Sequence, residues 1–156
     1  MPLPLLLDSN ILSKIVRPTV EEHKPIAAAV HRLVQDSRFK VCVPEIVDYE
    51  LRRKLLHIGH RRHHGRTWAL EALANLDELV SVGYLPLSTE TMRLAASLWA
   101  QTRAEGQLRG SEENLDVDVI LAAQARQAGG QIITTNERHF RNIADVFDWR
   151  SFRGTA

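Results

Sequence analysis

Four stretches of the chain place polar or acidic side chains where apolar runs stop. Leu3-Pro4-Leu5-Leu6-Leu7 ends in Asp8-Ser9-Asn10. Val43-Pro44-Glu45-Ile46-Val47-Asp48-Tyr49-Glu50-Leu51 carries three acids in one helical stretch. Asp116-Val117-Asp118 runs directly into Val119-Ile120-Leu121-Ala122-Ala123, and Ile132-Ile133 leads to Thr134-Thr135-Asn136, with Arg138-His139-Phe140 close behind. An acid in an apolar run is costly to bury unless it is paired or bound to a cation. Asp118, between two valines, is such an acid, whereas Asp116 is well explained by the helix dipole. Asp8 ends a strand, where open α/β sheets place their ligands, and it equally suits capping the next helix. Residues two apart lie on different helix faces, so Glu45, Asp48 and Glu50 diverge. Spacing alone leaves Asp48 and Glu50 as equal candidates. No Ser or Cys stands beside a His–acid pair, which argues against a covalent nucleophile, and the phosphate loop G-x-x-x-x-G-K-[ST] is absent.

The elements needed to gather these residues are legible in the hydrophobic pattern. Leu3–Leu7, Phe39–Val43, Val80–Leu87 and Gln131–Thr135 read as strands, with Val146–Phe152 a candidate edge strand. Between them lie helical stretches. Ile26, Ala29, Val30, Leu33 and Val34 share one face. Ile46, Val47, Leu51, Leu55 and Ile58 form the apolar side of the third helix, and Leu70, Leu73, Ala74 and Leu76 that of the fourth. Ser88 caps a helix whose stripe is Met92, Ala95, Ala96, Leu98 and Trp99. Glu105–Asn114 reads as a polar loop, and the following helix, Leu115–Ala128, stops at Gly129-Gly130. Strands alternating with helices predict a three-layer α/β/α sandwich around a central, mainly parallel sheet of four to five strands.

Length and composition set the frame. The chain's 156 residues fit one domain, 1–156, with a real core. A net charge of +1 leaves no overall field to recruit a polyanion, so any basic footprint is local. The single cysteine, Cys42, sits in an apolar run and forms no internal disulfide, which fits a reducing compartment. Neither a signal peptide nor a membrane-length apolar run is evident. The expected setting is cytoplasmic.

Taken together, the four stretches resemble the motifs of PIN-domain nucleases. L-L-L-D-S-N-I-L is similar to the first motif, with an Asp and an Asn at the end of the first strand. V-P-E-I-V-D-Y-E-L is similar to the second, whose glutamate directly precedes a leucine, and this selects Glu50 over Asp48. D-V-I-L-A-A resembles the third and selects Asp118; I-T-T-N-E-R-H-F resembles the fourth. The resemblance spans nearly the whole chain in the family's order. It implies a metal-dependent endoribonuclease that hydrolyses RNA phosphodiesters, similar to VapC-like toxins of toxin–antitoxin pairs. By that resemblance Asp8, Glu50, Asp118, Thr134 and Asn136 are the catalytic set, with Asp8, Glu50 and Asp118 as metal ligands and Asn10 and Asp116 in support. Clustered carboxylates need shared protons or cations, and an oxygen donor set favours Mg²⁺ or Mn²⁺. Thr134 would orient a ligand or the attacking water. Two departures stand out: Asn136 occupies a position that is often Asp, and His139 stands where an Asp often precedes Phe. A neutral ligand at that corner weakens metal binding. The alternative function is therefore a PIN-like module that binds RNA or a protein without turnover.

Substrate contacts are expected from the basic run that follows Glu50, namely Arg52, Arg53, Lys54, Arg61 and Arg62, with His57, His60, His63 and His64 interspersed. Such a run positions phosphates without reading sequence. A solvated basic face or a surface for an acidic partner accounts for it equally well. The resemblance further implies a cognate antitoxin and a homodimer as partners.

Overall fold

The computed structural model describes residues 1–61, 66–106 and 112–152. In chain order the elements are β1 (Leu3–Leu7), α1 (Ser9–Ile15), a 3₁₀ turn at Glu21–His23, α2 (Lys24–Gln35), β2 (Phe39–Pro44), α3 (Glu45–Gly59) and α4 (Arg66–Val82). They continue with β3 (Tyr84–Leu85), α5 (Thr89–Ala104), α6 (Glu112–Ala128), β4 (Gln131–Ile133) and a 3₁₀ turn at Glu137–Phe140. Among the described residues no helix is long and apolar enough to cross a membrane.

The sheet has four parallel strands in the order β3-β2-β1-β4. This order decides where a site can form. The chain steps outward from β1 to β2 to β3, then returns across the sheet to place β4 on the other side of β1. Right-handed crossovers put α1–α4 on one face and α5–α6 on the other. The reversal falls between β1 and β4, and a crevice opens beyond the carboxyl ends of those two strands. Leu5, Leu6 and Leu7 of β1 and Ile132 and Ile133 of β4 are almost wholly buried, as strands covered on both faces must be.

Two glycines hold the return to β4 in place. Gly129, at φ +65°, ends α6. Its N–H donates to Arg126 O at 3.1 Å and the Gly130 N–H to Ala125 O at 2.9 Å, the paired bonds of a Schellman cap. Gly130 then passes so close to β1 that a Cβ there would lie 2.5 Å from the Pro4 carbonyl oxygen.

The sheet is shorter than the hydrophobic pattern suggests. Val80–Val82 belong to α4, not to a strand, and β3 keeps only Tyr84 and Leu85. Val146–Phe152 adds no fifth strand; Val146 makes one parallel bridge to Ile132. The helical stretch begins at Glu112, three residues before the expected Leu115, while residues 107–111 lie outside the described residues. The buried side of α4 is Ala69, Ala72 and Leu76, with Leu70 and Ala74 exposed. Small residues there let α4 lie close to α3, its main packing partner. In α5, Ala95 and Leu98 are buried but Met92 and Ala96 face out.

Candidate active site

Asp8 stands at the carboxyl end of β1, where its N–H still donates to Ile133 O of β4 at 3.0 Å. It is both a helix cap and a site residue. One oxygen, Oδ1, accepts the Ser9 N–H at 2.7 Å and so caps α1. The other, Oδ2, accepts the Thr134 hydroxyl at 2.7 Å. Thr134 is fully buried, and its Oγ1 also accepts the Asn136 N–H at 2.9 Å and the Asn10 amide at 3.3 Å. Asn10 Oδ1 in turn accepts the Thr135 N–H at 3.3 Å. The ends of β1 and β4 are thus laced together, with Thr134 orienting Asp8 from behind.

The three acids of α3 separate as helical geometry requires. Glu45 accepts the backbone N–H of Leu87. Asp48 pairs with Arg52 at 2.9 Å, one turn along. Only Glu50 turns inward, and it joins Asp8 and Asp118 in one polar pocket of about 160 Å³, lined also by Ser9, Asn10, Val117, Asn136 and His139. The three carboxylate residues are 5, 8 and 9% exposed, respectively for Asp8, Glu50 and Asp118. Asp116 is elsewhere: it is exposed and lies with Met92, Trp99 and Ile120 along a separate apolar groove.

Crowding three acids into one buried pocket shows in their proton affinity. Burial, followed by the charges of Asp8 and Glu50, pushes Asp118 up to about 7. Asp8 is also raised, chiefly by burial and against the hydrogen bonds from Thr134 and Ser9. Two basic side chains hold the cluster. Lys54 Nζ donates to Glu50 Oε1 at 2.9 Å, and His139 Nδ1 lies 3.1 Å from Asp118 Oδ2. Ser9 Oγ donates to Glu50 Oε1 at 3.4 Å. His139 was legible as a departure at a motif position and Ser9 as a neighbour of Asp8; nothing in the sequence pairs His139 with Asp118.

The basic run is mostly engaged elsewhere. Arg52 bridges Asp48 and Asp77, the latter at 2.8 Å. Arg53 lies over the Tyr49 ring, and Arg61 pairs with His57. Of these residues only Lys54 touches a pocket carboxylate, and Arg62, His63 and His64 lie outside the described residues.

Comparison with known proteins places this geometry. No curated protein sequence matches the chain. Several solved structures share its fold. FitAcB from Neisseria gonorrhoeae is 19% identical, with a TM-score of 0.69, covering 95% of this chain and 99% of that one. DNA-bound VapBC from Salmonella typhimurium is 19% identical, with a TM-score of 0.69 over 94% of this chain and 98% of that one. VapBC-5 from Mycobacterium tuberculosis, a member of the VapBC family of toxin–antitoxin systems, is 19% identical, with a TM-score of 0.58 over 94% of this chain and 97% of that one. The model of the PIN domain matches residues 5–146, nearly the full length and all four motif stretches, and the chain belongs to the PIN domain family.

Proposed function

We propose that this protein is a divalent-metal-dependent endoribonuclease, acting in the cytoplasm as the toxin of a toxin–antitoxin pair. The observation that carries the reading is the convergence of Asp8, Glu50 and Asp118. They come from three distant segments into one pocket, where Asp118 is pushed up to about 7. A protein gains no stability from such an arrangement; it pays off only through a cation brought in from outside.

The residues suit a hard divalent ion, Mg²⁺ or Mn²⁺, because the donor set is oxygen-rich and its net charge is negative. Among the described residues no three His, Cys, Asp or Glu side chains meet as a ready-made ion site; Lys54 and His139 each hold one carboxylate. Asp8, Glu50 and Asp118 would hold the ion in exchange for those two partners. Once bound, the ion would supply water activation and charge neutralisation on the phosphate. Asp8 is kept in one orientation by Thr134 and Ser9, so one ligand arrives without conformational cost. Asn10 and Asn136 add neutral amides at the pocket wall, suited to hydrogen-bonding phosphate or ribose oxygens. The antitoxin and the homodimer belong to the same proposal; the likeness to VapBC structures supports the antitoxin, and the homodimer follows from the family resemblance alone.

The test is cleavage of single-stranded RNA in Mg²⁺ or Mn²⁺ by the wild type, Asp118→Asn and Glu50→Gln. Both variants should be folded and inactive. Undiminished metal-dependent cleavage by either one rejects the assignment. RNA binding without cleavage by the wild type, in either metal, would favour a binding module. Asn136 at an acid's position is the observation on that side.

A further inference from the structure

One ion pair straddles the mouth of the carboxylate pocket. Lys54 follows Glu50 by one turn of α3, and its Nζ lies 2.9 Å from Glu50 Oε1. A glutamate followed by a lysine at this spacing is the favoured order on a helix. The Glu50 side chain is 11% exposed and that of Lys54 60%, so the carboxylate sits inside the pocket and the ammonium at its rim. Among the described residues this is the one ammonium in contact with a pocket carboxylate. Its charge rides on a flexible four-carbon stem, whereas His139 is part of the pocket wall.

Resting on the nuclease reading, we propose that Lys54 is a transferable cation: it holds Glu50 in the metal-free protein and passes to an RNA phosphate when Glu50 takes a divalent ion. Charge supplies the reason. Asp8, Glu50 and Asp118, when ionised, carry three negative charges in one pocket, and a divalent ion offsets two. The remainder opposes a phosphate, so a further cation is needed at the rim. With a divalent charge on Glu50, the ammonium 2.9 Å from its oxygen is repelled. The pair is screened on the lysine side, so exchanging it for another anion costs little. Lys54 therefore opposes the ion and favours the RNA. Each of those two ligands raises affinity for the other, as linkage requires.

The experiment reads the two ligands separately in Lys54→Gln, with folding checked by thermal unfolding. Mn²⁺ binding without RNA, followed by electron paramagnetic resonance at pH 8, should be roughly 2- to 5-fold tighter than in the wild type. Binding of a fluorescein-labelled ten-nucleotide RNA is followed by anisotropy at low salt, in EDTA and in Ca²⁺, with the RNA shown intact on a gel. In Ca²⁺ the variant should bind RNA roughly 3- to 10-fold more weakly, and in EDTA within about twofold of the wild type. Opposite signs for ion and RNA are the signature of transfer; a merely structural lysine would weaken both. Lys54→Arg keeps the charge and should return both affinities towards the wild type. Arg32→Gln, on the exposed side of α2, is the control for loss of one charge and should shift RNA binding equally in EDTA and Ca²⁺. If Lys54→Gln binds Mn²⁺ no more tightly, or loses RNA affinity equally in EDTA and Ca²⁺, while the wild type cleaves RNA, the transfer is overturned and the nuclease reading stands. A wild type that neither binds Mn²⁺ nor cleaves RNA overturns both.

Discussion

Replacing Asp118 by Asn should stabilise the metal-free protein at neutral and alkaline pH while abolishing its activity. The folded protein raises this carboxyl from 3.8 to about 7. A group whose folded pKa lies above its unfolded value binds its proton more tightly in the native state. Its contribution is complete below about pH 4 and is lost as pH rises through about 7. About three units at roughly 1.4 kcal/mol each give an upper bound of about 4 kcal/mol. His139, at 3.1 Å, returns part of this to the ionised form, so about 2–4 kcal/mol is expected. For a chain of this size that is a rise in Tm of roughly 5–15 °C. The assay is thermal unfolding in EDTA at pH 8 and pH 4.5. The variant should melt well above the wild type at pH 8, and the gap should shrink at pH 4.5. A variant no more stable than the wild type at pH 8, or a gap independent of pH, would refute the claim that Asp118 is a strained, ionised acid in the metal-free protein at that pH. Mn²⁺ at a thousandfold excess over Kd should reverse the order, because an ion that binds only the folded wild type then adds about 4.1 kcal/mol.

Thr134→Val should cost about 1–3 kcal/mol in urea unfolding, since it leaves Asp8 Oδ2 and the Asn136 N–H without their buried partner; cleavage should fall with it. Gly130→Ala should cost about 1–3 kcal/mol or more, because its Cβ meets backbone rather than a movable side chain. An unchanged urea midpoint in this variant would contradict the tight passage of β4 past β1.

The members of the carboxylate cluster could be picked out in the sequence because they sit at the edges of apolar runs. Asp8 follows Leu7, and Asp118 lies inside α6 just before the buried Val119 and Leu121–Ala123. Periodicity could not choose between Asp48 and Glu50, for both lie on the same helix at equivalent cost. The structure separates them through Arg52, which pairs with Asp48 and is itself held by Asp77, a residue of another helix. The extent of β3 was misread for a related reason. Val80-Ser81-Val82 alternates as a strand would, yet α4 packs along α3 and runs on until Gly83. Tertiary packing overrode β-branched preference there. The Leu70 and Ala74 positions failed similarly, because a close helix pair buries the small residues Ala69 and Ala72 instead. The partners of the charged residues were the least legible of all, since a contact such as His139 to Asp118 depends on the closed fold.

The most direct measurement of the central claim is Mn²⁺ binding followed by electron paramagnetic resonance, with no RNA present. The account predicts one or two ions per chain for the wild type and a large loss of binding in Asp8→Asn, Glu50→Gln and Asp118→Asn alike, each variant being folded. Wild-type binding retained in all three would mean that these carboxylates do not form one cation site.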